Sequence, residues 1–117
     1  MVSLSLLMFT THAAVAADID GHNLGSVPCE QYMAALIQSP EKEITYYYWA
    51  QGFMTGLNQD LIRAVPRHLY DVENDPQGQR AKLKAFCVAH PKAPFGDAVN
   101  ALYPTLFLVD RLSPPPK

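Results

Sequence analysis

Positive charge is scarce. Lys and Arg number 9 against 11 Asp and Glu, for a formal net charge of -2. A nucleic-acid partner wants a basic face, and this chain has too few cations to supply one. No apolar run reaches the ~18 residues that a membrane span needs. The signatures of common chemistry are missing too. The sequence holds no Gly-rich phosphate loop, no His-Glu-x-x-His, no Cys-x-x-Cys-His haem site and no Gly-x-Ser-x-Gly elbow. His22, His68 and His90 are scattered, and the carboxylates are spread thinly. No pair is spaced for acid–base work. The reading is a chain with no catalytic residues, no metal site and no cofactor, hence not an enzyme.

What is present is a globular balance. Of 117 residues, 49% are hydrophobic and 17% charged, which suits one small packed domain. There are 10 Pro, crowded near the ends of the apolar stretches.

Residues 1–17 read as a signal peptide. Leu4-Ser5-Leu6-Leu7-Met8-Phe9 is a short apolar core, and Ala13-Ala14-Val15-Ala16-Ala17 offers small residues for cleavage. The first twelve residues contain no Lys or Arg, so the usual positive start is missing. The alternative is a buried N-terminal helix. With cleavage, a single helical domain spans 18–112, and Ser113-Pro114-Pro115-Pro116-Lys117 is an extended, disordered tail. The expected localisation is periplasmic or secreted.

Export gives the cysteines their meaning. Cys29 and Cys87 are the only two. In an oxidising compartment an even count in a small domain reads as a disulfide. The rival reading is a metal site using Cys87 and His90, but two such ligands are too few without partners.

The chain reads as four helices. Over 27–38, Cys29, Tyr32, Met33, Leu36 and Ile37 fall on one helical face. Ser26 is a possible cap, with Pro28 in the first turn. A second helix starts at Ser39-Pro40-Glu41 and continues to about Ala64. Trp49, Gly52, Phe53, Gly56 and Leu57 share one of its faces. Tyr46, Tyr47 and Tyr48 ring it with aromatics. Gly52 and Gly56 each cost roughly 1 kcal/mol against Ala in a helix interior. That cost suggests close helix packing against them, or a binding groove. Tyr47, Tyr48, Trp49 and Phe53 span most of the circumference, so some must meet solvent, a partner or a second copy. A polar connection follows Pro66. Asp75-Pro76 opens a third helix with Leu83, Phe86, Cys87 and His90 along it, ending at Pro91. The fourth runs from Phe95 to Asp110, with Phe95, Ala98, Val99, Leu102, Leu106 and Val109 aligned. Pro104 should kink or split it.

Cys29-Glu30-Gln31-Tyr32, then Phe86-Cys87, then Phe95-Gly96-Asp97-Ala98-Val99 resembles the HdeA/HdeB-type periplasmic proteins. The elements Gly52-Phe53-Met54-Thr55-Gly56 and His90-Pro91 are also similar to Tai-type immunity proteins of type VI secretion. Both resemblances span roughly residues 27–110. They imply an all-α fold, a small orthogonal four-helix domain stapled by one disulfide. Resemblance to HdeA implies a chaperone of acid stress, a homodimer at neutral pH that opens and holds unfolded clients when acidified. The physics is compatible, since protonated carboxylates leave a strongly cationic, self-repelling chain. Resemblance to the immunity proteins implies a rigid module that binds and blocks one secreted effector, with Arg67 to Asp75 as an exposed loop. A third class, a small-ligand carrier, would use the aromatics around Trp49. All three are non-enzymatic exported binding proteins, and the partners expected for the first two are other proteins.

Overall fold

The computed structural model describes residues 23–65 and 68–110. The expected signal peptide, the tail at 113–117 and His22 lie outside the described residues. The elements are α1 (Cys29–Gln38), α2 (Lys42–Ala64), β1 (His68–Tyr70), α3 (Pro76–Ala89), α4 (Phe95–Leu102) and β2 (Leu108–Asp110). Short 3-10 turns at Leu24–Ser26 and Tyr103–Thr105 flank α1 and follow α4. The fold is all-α, four helices around one core, with a minor two-stranded sheet.

The starts of α1 and α4 hold each other. Cys29 N–H donates to the Ala93 carbonyl at 2.8 Å and Glu30 N–H to Pro91 at 2.8 Å. In return, Phe95 N–H donates to Val27 at 2.7 Å. The first N–H groups of a helix have no partner inside it. Here the neighbouring segment supplies one, so no side-chain cap is needed, and Ser26 lies in the 3-10 turn instead. Ser39 and Pro40 do not cap α2 by side chain either. They form a turn, with Lys42 N–H on the Ser39 carbonyl at 2.9 Å. At α3 the expected cap is real. Asp75 is left-handed (φ 55°), and its carboxylate accepts from Gly78 N–H at 3.1 Å, with Pro76 at the first helical position.

The disulfide Cys29–Cys87 ties the start of α1 to the end of α3, with Cα atoms 4.8 Å apart and both residues buried. Around it pack Tyr32, Tyr46, Ala50, Met54, Leu83, Phe95, Ala98, Val99 and Leu102. Tyr32, Tyr46 and Phe95 form an aromatic triad with ring centroids 4.6 to 5.1 Å apart. Such pairs add ~0.5–1.5 kcal/mol each beyond their buried area. Burial pushes the Tyr32 hydroxyl far above the ordinary tyrosine range, and the Glu43 charge adds to the shift. Its spacing puts Ile37 on the buried face, yet it is 81% exposed. It sits in the last turn of α1, where Met33 and Leu36 already reach the edge of the core.

The fourth helix is shorter than its pattern. Pro104 lacks the N–H that would continue the ladder. The helix stops at Leu102, turns through a 3-10 segment and leaves as β2. Leu106 remains packed on the core, whereas Val109 lies in a strand and is exposed. β2 pairs antiparallel with β1, in register Leu69 with Val109 and Tyr70 with Leu108. The polar connection expected after Pro66 therefore contains a strand.

Candidate binding groove

Helix α2 sorts its side chains onto three flanks. Tyr46, Ala50 and Met54 recur every four residues and point into the core. Trp49 and Phe53 lie on one side of that stripe. Tyr47, Gln51 and Asn58 lie on the other.

Trp49 and Phe53 stack, with centroids 5.2 Å apart and planes at 20°. Trp49 also leans on Phe95 at 5.9 Å, so the platform is anchored to the core. The 3-10 turn at Leu24–Ser26 and the start of α4 close in beside it. Gly25 meets the benzo edge of the indole so closely that a Cβ there would overlap the ring. A Cβ at Gly96 would sit 3.0 Å from the Gly25 carbonyl. Two residues without side chains thus let three elements converge. Between them is an open groove of about 390 Å³, lined by Asn23, Gly25, Ser26, Trp49, Phe53, Pro94, Gly96, Asp97 and Asn100. Asp97 is the one ionisable residue of the lining. Among the described residues, the Trp49 indole N–H and the side chains of Asn23, Asp97 and Asn100 have no hydrogen-bond partner.

The opposite flank is fully engaged. Gln51 Nε2 donates to the Val72 carbonyl at 2.6 Å and to the Tyr47 hydroxyl at 2.7 Å. The Tyr47 hydroxyl lies 3.3 Å from Gln79 Oε1. Gln79 is 2% exposed, and its amide nitrogen donates to Val72 and Asn74 carbonyls at 3.0 and 2.7 Å. The network clamps the segment between β1 and α3. Tyr47 is therefore a buried structural residue, with Arg80 over its ring at 5.7 Å, and not part of an open surface. Burial raises its hydroxyl pKa, against the opposing pull of Arg80.

The four aromatics named from sequence thus separate. Trp49 and Phe53 form the groove floor, Tyr47 is inside, and Tyr48 is 65% exposed on the outer face. Gly52 and Gly56 also lie on that outer face. Among the described residues nothing comes within 4 Å of a Cβ on either, so the expected close packing there is corrected. The helices that converge on α2 approach its other sides.

Sequence reading missed Asn58, Gln79 and the Gly25–Gly96 approach. A signal existed for the first two. Asn58 continues the Ala50–Met54 spacing, and Gln79 lies four residues before Leu83 and eight before Cys87. A polar side chain on an apolar stripe is buried, and burial demands partners. His90 is exposed at the end of α3 with its ring against Phe86 at 4.5 Å. Among the described residues no cluster of three or more His, Cys, Asp or Glu could hold a metal, and no helix is long and apolar enough to cross a membrane. Compared with protein-family models, curated proteins and solved structures, the chain matches none.

Proposed function

We propose that this chain is a non-enzymatic binding domain of an oxidising, exported compartment, and that it captures another protein at neutral pH through the Trp49–Phe53 groove. The observation that carries the reading is the groove's chemistry. An anchored aromatic platform stands beside polar groups that have no partner among the described residues. Aromatic anchors in a pocket with a polar rim are how protein interfaces concentrate their energy. The buried disulfide supports the compartment. Pre-organisation supports the mode, because the platform is fixed by Phe95 and Gly25 before any partner arrives. This is the immunity-type reading.

One observation favours the acid-activated holdase. Glu43 bridges α2 to α3 through Lys84 at 3.1 Å and Arg80 at 3.9 Å, and Glu30 meets Lys92 at 2.9 Å. Protonating these carboxylates removes the pairs and leaves Arg80, Lys84 and Lys92 without their counter-charges. Such part-exposed pairs contribute little, ~0–1 kcal/mol each, so the holdase is the second reading.

Capture from an exported-compartment extract at pH 7 and pH 3 separates the two. The groove reading expects one stoichiometric partner at pH 7, lost in Asn100→Arg and kept in Tyr48→Ala. Many clients, held only at pH 3, would overturn it in favour of the holdase.

A further inference from the structure

The groove has an aromatic floor, a rim rich in acceptors and no cation of its own among the described residues. We infer that the group it takes from its partner is an arginine side chain, laid on the Trp49–Phe53 platform with the edge of its guanidinium on Asp97. This rests on the groove being a binding surface.

The floor suits a flat cation. Trp49 and Phe53 stack at 5.2 Å with planes 20° apart, and both line the groove. The face of an aromatic ring carries negative charge density and attracts a cation lying over it, most strongly at tryptophan. A guanidinium is planar and weakly hydrated, so it stacks on such a face with little desolvation penalty. The floor is fixed before a ligand arrives. Phe95 lies 5.9 Å from the indole, and Gly25 meets its benzo edge.

The rim decides the charge. Asp97 is the one ionisable residue of the lining. It stands in the first turn of α4, and Asn100 follows it by three residues, on the same flank of the helix. Neither side chain has a partner among the described residues. On the other side, Ser26 Oγ donates its proton to the Asn23 carbonyl at 2.8 Å, so towards a ligand it can only accept. The Gly25 carbonyl belongs to that side too. Pro28, three residues on, has no N–H to give it. A carboxylate, a hydroxyl oxygen and a carbonyl therefore border the rings.

This set discriminates. A guanidinium offers five N–H donors and no acceptor, arranged in the plane that stacks. Its face meets the floor while its edge meets the rim. A lysine ammonium is a compact, strongly hydrated charge that cannot lie flat. A phosphate or carboxylate meets Asp97 as a like charge. Arginine is also among the residues that concentrate energy at protein interfaces. The same geometry explains why Asn100→Arg should block capture, since it sets a guanidinium beside Asp97 from within the chain.

The test uses the full chain at pH 7 and low salt, where exposed charges act most strongly. Trp49 is the single tryptophan, so its emission reports the groove. The probes are three tripeptides blocked at both ends: Gly-Arg-Gly, Gly-Lys-Gly and Gly-citrulline-Gly. Citrulline keeps the shape of arginine without its charge. The arginine peptide should shift Trp49 emission saturably, and both others should bind less tightly, citrulline about fivefold. Asp97→Asn should weaken the arginine peptide by about the same factor and leave the citrulline peptide unchanged. No saturable shift with arginine, equal binding of either other peptide, or arginine binding that Asp97→Asn leaves intact overturns the inference. So does a free chain whose Trp49 is shielded from acrylamide, because the groove would then be covered already. Partner capture separates this inference from the reading beneath it. Capture lost in Asn100→Arg but complete in Asp97→Asn strikes the arginine and leaves the groove. Capture kept in both strikes both.

Discussion

Asn58 serves Tyr70 as a neighbouring strand would. Its Nδ2 donates to the Tyr70 carbonyl at 2.8 Å, and its Oδ1 accepts from Tyr70 N–H at 3.0 Å. In the pairing of β1 with β2, Tyr70 is the residue whose backbone groups point away from the partner, since Asp71 N–H bonds across to Phe107 at 2.7 Å. One side chain on α2 therefore completes the inner edge of a two-stranded sheet. The Tyr103 hydroxyl adds a third bond to the same Oδ1 at 2.6 Å.

Asn58→Ala should thus cost more than its size suggests. It leaves a backbone N–H, a carbonyl and a hydroxyl without partners, and the expected loss is about 2–4 kcal/mol. Tyr103→Phe, which removes one bond and its donor together, should cost about 1 kcal/mol. Urea denaturation gives both values. Equal stability of Asn58→Ala and the parent would contradict the account of the sheet.

The outer face of α2 predicts a gain. Gly56 has open space where its Cβ would be, so Gly56→Ala should stabilise by about 0.5–1 kcal/mol, through helix propensity. Gly25→Ala should act in the opposite direction, costing about 1–3 kcal/mol, because the methyl must displace the Trp49 ring. Thermal melting compares them directly. A lower melting temperature for Gly56→Ala would mean that its face is covered.

The disulfide closes a loop with a sequence separation of 58 residues. In the chain-entropy description such a bridge stabilises by about 4 kcal/mol, a large share for so small a core. A free-thiol assay on the unfolded, unreduced protein should find none. Replacing both cysteines by Ala should lower the urea midpoint by a corresponding amount, and an unchanged midpoint would count against the bridge.

Alkali should unfold the protein. Burial raises the hydroxyl pKa of Tyr32, Tyr47 and Tyr103 above the ordinary value near 10, helped at Tyr32 by Glu43 and at Tyr103 by Tyr70. A folded pKa above the unfolded one means that the native state holds the protons more tightly. The contribution is complete below pH ~10 and declines as pH rises beyond it. Phenolate absorbance should show these tyrosines ionising late, together with loss of helical signal. Their ionisation near pH 10 with the fold intact would contradict the burial described.

Much of the fold is legible locally. Asp75-Pro76 writes its own helix start, and Pro104 its own stop. The cysteine pair follows from its even count. The failures share a cause, which is dependence on distant partners. The strand His68–Tyr70 is three residues long, too short to show a period before β2 and Asn58 meet it. The glycines of α2 show their cost in sequence, but not whether anything approaches them. Gly25 and Gly96, which do admit a neighbour, lie outside long periodic runs and gave no pattern to read. For the site, Trp49 and Phe53 were visible as aromatics four residues apart. The rim that makes them a groove comes from two other segments, through contacts that no spacing encodes.

The central claim is that the Trp49–Phe53 groove is the contact surface for another protein at neutral pH. Acrylamide quenching of Trp49 emission tests it most directly, with the captured partner added at pH 7 to the full chain. The account predicts that quenching falls as the partner is added and levels off at one equivalent, and that Asn100→Arg abolishes the effect. Undiminished quenching of Trp49 in a saturated complex would place the contact elsewhere and contradict the account.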